Sequence, residues 1–308
     1  MDYRNIGRSD LKVSVVGFGA WQAGHSGWGD DYGDSDVLEA MKYALANGVN
    51  YIDTAMVYGD GHSEEIVGSA ISGFNRDDIV IATKVNPPHL SHDAILKSCE
   101  NSIKRMKCKY IDLYQLHWPD RSVPIEESIS AMEKLVDSGK VRYIGLCNYY
   151  GSAFEEALEA AKKHEIISNQ LRYNLLQREI ERDPYPAMKK HGVEMIAWSP
   201  IAKGLLSGKY NPENLPHDRI RAGDRLFSPG NIEKLMPVLD MVRKIASDRG
   251  KSMVQVSLNY LLCKDSIVIP GIKRRDQIID CMGASGWKLS DKEIADLDRA
   301  SSEVRISE

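Results

Sequence analysis

A short apolar run rich in β-branched residues, a turn and an amphipathic segment follow one another repeatedly along this chain. The runs lie at residues 13–18, 51–55, 79–85, 110–116, 143–147, 167–171, 194–198 and 266–269. Most lack strict alternation of apolar and polar residues, as expected of strands covered on both faces. Helical patterns are read at 37–46, 93–106, 125–138, 152–164, 184–191, 232–249, 253–262, 276–282 and 291–300. In 93–106, for example, Ile95, Leu96, Cys99, Ile103 and Met106 fall on one face. Alternating strands and helices imply a parallel sheet, and eight strands in 308 residues predict a closed (β/α)8 TIM barrel, an α/β fold. Residues 1–12 are expected to form a short N-terminal hairpin under the barrel. Residues 203–230, rich in Gly, Pro and Asp, are expected to form a long functional loop after the seventh strand.

Bulk properties narrow the class. Hydrophobic residues make up 43% of the chain, enough for one large core, so a single domain over residues 1–308 is expected. A formal net charge of −4 gives no general attraction to nucleic acid or anionic membranes. The cysteines (Cys99, Cys108, Cys147, Cys263 and Cys281) are odd in number and form no Cys-x-x-Cys, which points to reduced thiols and a cytoplasmic setting. No apolar run approaches the roughly 20 residues of a membrane span, and the polar N-terminus lacks a signal peptide's apolar core.

In such barrels the active site is built at the carboxyl ends of the strands. The second strand delivers Asp53, followed by Tyr58; the third delivers Lys84; the fourth delivers His117. An acid, a phenol, a lysine and an imidazole thus converge on one rim. A free phenol, with a pKa of about 10, is a poor proton donor near neutral pH. A lysine ammonium ~4 Å away, at an effective dielectric of ~20, is worth roughly 4 kcal/mol before desolvation, enough to lower that value by a couple of units. An aspartate beside the lysine keeps it charged, and His117 could hold a carbonyl oxygen. Any one of these residues alone would more commonly be structural. Their order on successive strand ends favours chemistry.

The segments Tyr51-Ile-Asp-Thr-Ala-Met-Val-Tyr-Gly59, Ser63-Glu-Glu-Ile-Val-Gly68, Thr83-Lys84 and Leu116-His117-Trp-Pro119 resemble the aldo-keto reductases. The resemblance runs from Leu11-x-Val-Ser-x-Val-Gly-Phe-Gly19 to the last strand. It implies a catalytic tetrad of Asp53, Tyr58, Lys84 and His117, with hydride from NADPH, rather than NADH, and the proton from Tyr58. Gly145-Leu-Cys-Asn148 and Asn169-Gln-x-x-Tyr-Asn174 resemble the family's next two strands, implying that Asn148 and Gln170 bind the nicotinamide carboxamide. Trp198 would stack on the ring. Ser199, Pro200, Ile201, Ala202, Gly204 and Lys209 would wrap the pyrophosphate, and Lys273 or Arg274 would meet the 2′-phosphate. Ala20, Trp21, Arg219, Gly271 and Gln277 complete the implied cofactor contacts. Two residues depart from the family pattern: Cys147 stands in place of the usual serine, and Cys281 in place of the asparagine that meets adenine. The implied substrate is a small, partly apolar aldehyde, ketone or sugar-like compound, walled by Trp21, Trp28, Tyr58, His117 and Trp118.

Other signals lead elsewhere or nowhere. Gly17-Phe-Gly19 opens like a dinucleotide-binding glycine loop, but Gln22 stands at the third glycine position. The acidic run 30–36 lacks the spacing of a calcium loop and reads as a solvated loop over the site. His89 and His92 have no matching ligands, so no metal is expected. Two alternative functions are considered. One is a cofactor-binding regulatory subunit like the potassium-channel beta subunits, which typically replace the tetrad histidine present here as His117. The other is a barrel aldolase or isomerase using Lys84 as a Schiff base.

Overall fold

The computed structural model describes residues 1–306. Strand β1 (Tyr3–Asn5) pairs antiparallel with β2 (Lys12–Ser14), with Arg4 opposite Val13. Eight further strands form one parallel sheet in chain order: β3 (Phe18–Gly19), β4 (Tyr51–Asp53), β5 (Val80–Val85), β6 (Ile111–Leu116), β7 (Val141–Cys147), β8 (Ile166–Arg172), β9 (Glu194–Trp198) and β10 (Ile267–Ile269). Parallel bridges from Val16 to Val268 and from Gly19 to Gly271 join the last strand to the first. The sheet therefore closes into the expected (β/α)8 barrel.

The predicted first strand, 13–18, is divided in two. Its first residues belong to the hairpin, and only Phe18–Gly19 pair with β4. Ser14 causes the break: its amide donates to Asn50 Oδ1 (2.7 Å) and its hydroxyl to the Val16 carbonyl (2.8 Å), which takes the backbone off the ladder. The barrel closes tightly beyond it. A Cβ on Gly17 would lie 2.6 Å from the Tyr51 ring, so only glycine fits between β3 and β4.

The helices are α1 (Asp34–Ala46), α2 (His62–Ile71), α3 (His92–Met106), α4 (Ile125–Asp137), α5 (Gly151–Ala160), α6 (Tyr185–His191), α7 (Arg219–Ala222), α8 (Pro229–Arg249), α9 (Met253–Cys263), α10 (Arg275–Met282) and α11 (Asp291–Ser302). Helix α2 is absent from the sequence reading because its buried face is partly polar. Ser63 and Glu64 are buried beside Ile66, Val67 and Ala70, and Glu64 accepts from Thr83 and from Arg105, both at 2.6 Å. Helix α5 stops short of the predicted residue 164. There the amides of Lys162, Lys163 and His164 all donate to Glu133 Oε1, which draws the chain out of the helix.

The hairpin closes one end of the barrel. Ile6, Leu11 and Val13 are buried against Tyr51, Leu113, Ile167 and Ile196 from the barrel interior. Each such aliphatic side chain contributes roughly 1.5–3 kcal/mol on burial. At the other end, the segment after β9 folds back through a turn at Ala202–Ser207 and through α7, held by a Lys203–Asp224 ion pair of 2.7 Å. It meets the loop after β3, where the Ile220 amide donates to the Gly27 carbonyl and the Arg221 guanidinium lies 5.0 Å from the Trp28 ring. Among the described residues no helix is long and apolar enough to cross a membrane.

Candidate active site

The open end of the barrel holds the four rim residues. Asp53 ends β4, Lys84 lies near the end of β5, His117 follows β6, and Tyr58 sits in the turn between β4 and α2. Lys84 Nζ donates to Asp53 Oδ1 (2.5 Å) and the Thr54 carbonyl (2.8 Å), and lies 3.4 Å from Tyr58 Oη. Its three donor directions are thereby used up. Asp53 Oδ2 accepts from Gln170 (2.7 Å) and Gln115 (3.1 Å), so both carboxylate oxygens are tied to strand-borne partners.

Burial sets the proton affinities. The Tyr58 phenol is pushed up to about 12, because desolvation and the nearby Asp53 carboxylate outweigh the Lys84 ammonium. The expected lowering by Lys84 operates, but it is the smaller effect. Burial works against the Lys84 charge as well, yet Asp53 and the facing phenol hold it above the ordinary lysine range. Burial and the Lys84 charge press His117 down to about 3, so its ring is neutral near pH 7. That ring lies 6.0 Å from the Tyr58 ring, edge to face, and its buried Nδ1 has no partner among the described residues.

A cavity of about 650 Å³ extends from this group to the loop after β10, within the range of cofactor and ligand sites. Trp21 forms one wall of its inner end, 4.9 Å from Trp28 in a T-shaped pair and 6.0 Å from Tyr58 in a stacked one. Trp118, half exposed, stacks beyond His117 at 6.3 Å. Ala20, Cys147, Asn148, Gln170 and Trp198 line the middle, and Gly271, Lys273, Arg274, Gln277 and Cys281 the far end. Ser199, Pro200, Ile201, Gly204 and Lys209 also face the space. Ser199, Ala202, Lys203 and Gly204 all have left-handed φ, from 48° to 97°, which bends the backbone around the cavity.

Several of these groups already have protein partners. Asn148 Nδ2 donates to the His117 carbonyl and Cys147 Sγ (both 3.1 Å), and Asn148 Oδ1 accepts from Trp198 Nε1 (3.0 Å). Gln170 Nε2 is shared between Asp53 and Gln115 Oε1 (3.3 Å), which leaves its carbonyl oxygen the freer atom. The buried Cys147 thiol, raised by desolvation, reaches that oxygen at 3.7 Å. Lys273 Nζ donates to the Trp28 carbonyl (2.6 Å) and Asp31 Oδ1 (2.9 Å), and Arg274 also bonds Asp31.

Three of the residues singled out in the sequence lie away from the cavity surface. Lys84 is wholly buried behind Tyr58 and Asp53, Ala202 is buried, and Arg219 is exposed outside the cavity. Arg221, two residues on, lines the cavity instead, fixed by Asp218 (2.6 Å) and the Lys203 carbonyl (2.6 Å). Gln22 and Asp31, to which the sequence assigned no contact with cofactor or substrate, also line the cavity. For Asp31 the signal was the acidic run itself, facing the cations at 273–274.

The residues present fit a nicotinamide dinucleotide: an aromatic face at Trp198, amides on two adjacent strands, a backbone nest and a cationic end in one continuous cavity. The comparisons with known proteins agree. The chain is 33% identical to the aldo-keto reductase YhdN of Bacillus subtilis, covering 96% of this chain and 92% of that protein. It is 32% identical to a probable voltage-gated potassium channel subunit beta of Arabidopsis thaliana, over 92% and 91% of the two chains. It superposes on the crystal structure of an aldo/keto reductase from Klebsiella pneumoniae in complex with NADP and acetate, with a TM-score of 0.78, 29% identity and coverage of 97% and 95%. Residues 15–302 match the sequence pattern of the Aldo/keto reductase family. The chain belongs to the aldo/keto reductase family, a family of oxidoreductases.

Proposed function

We propose that this protein reduces small aldehydes and ketones to alcohols with NADPH, in a cytoplasmic setting, with residues 1–308 acting as one catalytic domain. The observation that carries this reading is the phenol of Tyr58 facing the cavity with the Lys84 ammonium 3.4 Å behind it. Bound, the coenzyme supplies a hydride to the carbonyl carbon. The chain's own residues handle the proton and the position. Neutral His117 directs a ring N–H at the carbonyl oxygen, and Tyr58 Oη delivers its proton there as negative charge builds. Lys84 stabilises the phenolate left behind, and Asp53 fixes Lys84. Trp21, Trp28 and Trp118 form apolar walls that suit a compact, partly apolar carbonyl compound. Lys273 and Arg274 give a 2′-phosphate two cations, which favours NADPH over NADH. The Klebsiella pneumoniae relative holds NADP.

The direct experiment is Tyr58→Phe, with coenzyme binding followed through tryptophan fluorescence and carbonyl reduction through coenzyme absorbance. Binding is expected to persist while turnover falls by about 10²–10⁴, the usual worth of a positioned acid. Unchanged turnover would sink the mechanism. A second reading, a coenzyme-binding regulatory subunit, is favoured by the likeness to the Arabidopsis thaliana channel subunit. Negligible turnover on a broad carbonyl panel, together with stoichiometric copurification of a membrane protein, would put that reading first.

A further inference from the structure

On the outer wall of the cavity, three metal-ligating side chains from three different elements converge. His25 ends the short turn Trp21–Gly24 with a left-handed φ of 52°, Asp34 is the first residue of α1, and His62 is the first of α2. His25 Nε2 lies 2.7 Å from Asp34 Oδ1, and His62 Nε2 lies 2.9 and 3.0 Å from its two oxygens. One ligand atom from each residue lies within 4.8 Å of the other two. A tetrahedral zinc site with bonds of about 2.0–2.1 Å holds its ligand atoms roughly 3.3 Å apart. Both imidazole–carboxylate contacts are shorter than that, so each must open by a few tenths of an ångström to admit an ion, a movement that side-chain rotation alone supplies.

The surroundings have further marks of a metal site. Glu65 Oε2 stands 3.9 Å from His62 Nδ1, on the far side of the ring from Asp34. That separation is longer than a hydrogen bond, but Glu65 stands on the side of the ring from which an outer carboxylate orients a ligating histidine. The three side chains are a third to a half exposed, which leaves room for an ion to enter and for water to complete its coordination. Two imidazoles and one carboxylate suit zinc, nickel or copper better than magnesium or calcium.

We propose that His25, Asp34 and His62 bind a zinc-class divalent ion that braces the turn carrying Tyr58 from outside. Gly24, which precedes His25, packs so closely on this turn that a Cβ there would lie 2.6 Å from the Tyr58 carbonyl carbon. On the other side, the His62 amide donates to the Gly59 carbonyl and the Ser63 amide to the Tyr58 carbonyl, both at 3.1 Å. An ion joining His25 to His62 would therefore clasp both segments that flank Tyr58 and anchor them to α1. It would also steady the wall above, since the His25 ring stacks on Tyr32 at 4.9 Å and the Tyr32 hydroxyl donates to the Gln22 carbonyl. The ion touches no reacting atom, and its binding can be read without turnover.

The test uses the full chain freed of metal with a chelator. Cobalt(II) is titrated as a spectroscopic probe, zinc affinity is measured against a chromogenic chelator, and hydrogen exchange is followed with and without zinc. One equivalent is expected to bind, with slower exchange at residues 22–34 and 58–63. Loss of an outer-shell partner alone weakens metal sites about 10–100-fold, so His25→Gln and His62→Gln should each weaken zinc binding at least about tenfold and abolish the added protection. Both histidines are partly exposed, and circular dichroism verifies that each variant folds. A His89→Gln control should bind as the parent does. Absence of one-equivalent binding at micromolar metal, binding that survives both substitutions, or binding without new protection in those two segments would each overturn the proposal.

Discussion

The Lys84 ammonium stands 3.4 Å from the Tyr58 phenol oxygen, at the long edge of a hydrogen bond. Its shorter bond, 2.5 Å, is to Asp53. Lysine and aspartate therefore form the rigid part of the site, and the phenol is the group free to exchange its partner.

That hierarchy predicts different losses. Removing one partner of a buried ion pair costs about 3–5 kcal/mol, because the other charge is left unpaired. Lys84→Met and Asp53→Asn are each expected to lower thermal stability by this order, while the double variant recovers part of it. Turnover should stay at least about a hundredfold down in all three, since the phenol has lost its cation or that cation its anchor. Thermal melts beside kcat measurements check both statements.

The proton affinities at the site predict a flat pH profile for reduction. The phenol holds its proton below about 12 and the imidazole is neutral above about 3. At saturating coenzyme, kcat for ketone reduction should vary less than about threefold between pH 5 and 9, with neither group titrating there. Alcohol oxidation needs the phenolate and should rise with pH. A descending limb near pH 6 in the reductive direction would show that the imidazole takes up a proton in the cycle.

Asp31 pairs with Lys273 and Arg274, the two cations that on the proposed reading would meet the 2′-phosphate. Partly exposed ion pairs are worth about 0–1 kcal/mol, so Asp31→Asn should tighten NADPH by up to about fivefold and leave NADH nearly unchanged. Dissociation constants for both coenzymes, by fluorescence titration, decide this. Equal tightening of both would show that Asp31 acts on loop closure rather than on the phosphate.

A fourth expectation concerns the barrel floor. Glu194 is buried, 3.2 Å from Arg4 and 3.3 Å from the Gly7 amide, and its carboxyl is raised from 4.5 to about 7, burial outweighing Arg4. A raised carboxyl binds more protons folded than unfolded. The stability this carboxyl contributes is therefore fullest below about 4.5 and is lost as pH rises towards 7, by on the order of 3 kcal/mol for this group alone. Glu194→Gln should flatten that slope, which denaturant melts at pH 5 and pH 8 would reveal.

Much of the barrel was legible because its strands are short apolar runs ending in polar residues. Asp53, Lys84 and His117 stood out as polar groups where β4, β5 and β6 finish, and the fold brings them together with Tyr58. What escaped notice depended on contacts distant in sequence. Helix α2 buries Ser63 and Glu64 against Ala20, Thr83 and Arg105, so its apolar periodicity is broken by residues whose partners lie elsewhere. The single run at 13–18 gave no sign that Asn50 would capture Ser14. Arg219 and Arg221 look equivalent in sequence, and only the turn of α7 decides which one reaches the cavity.

The hairpin packed under the barrel has a kinetic consequence. With Ile6, Leu11 and Val13 plugging the floor, the cavity opens, among the described residues, at the opposite end of the barrel. On the proposed reading, Trp198 would hold the nicotinamide, and Trp21 and Trp118 would hold the carbonyl compound nearer the opening. Traffic through one doorway would then impose a queue: coenzyme first in and last out, with the alcohol departing before the spent coenzyme could be exchanged.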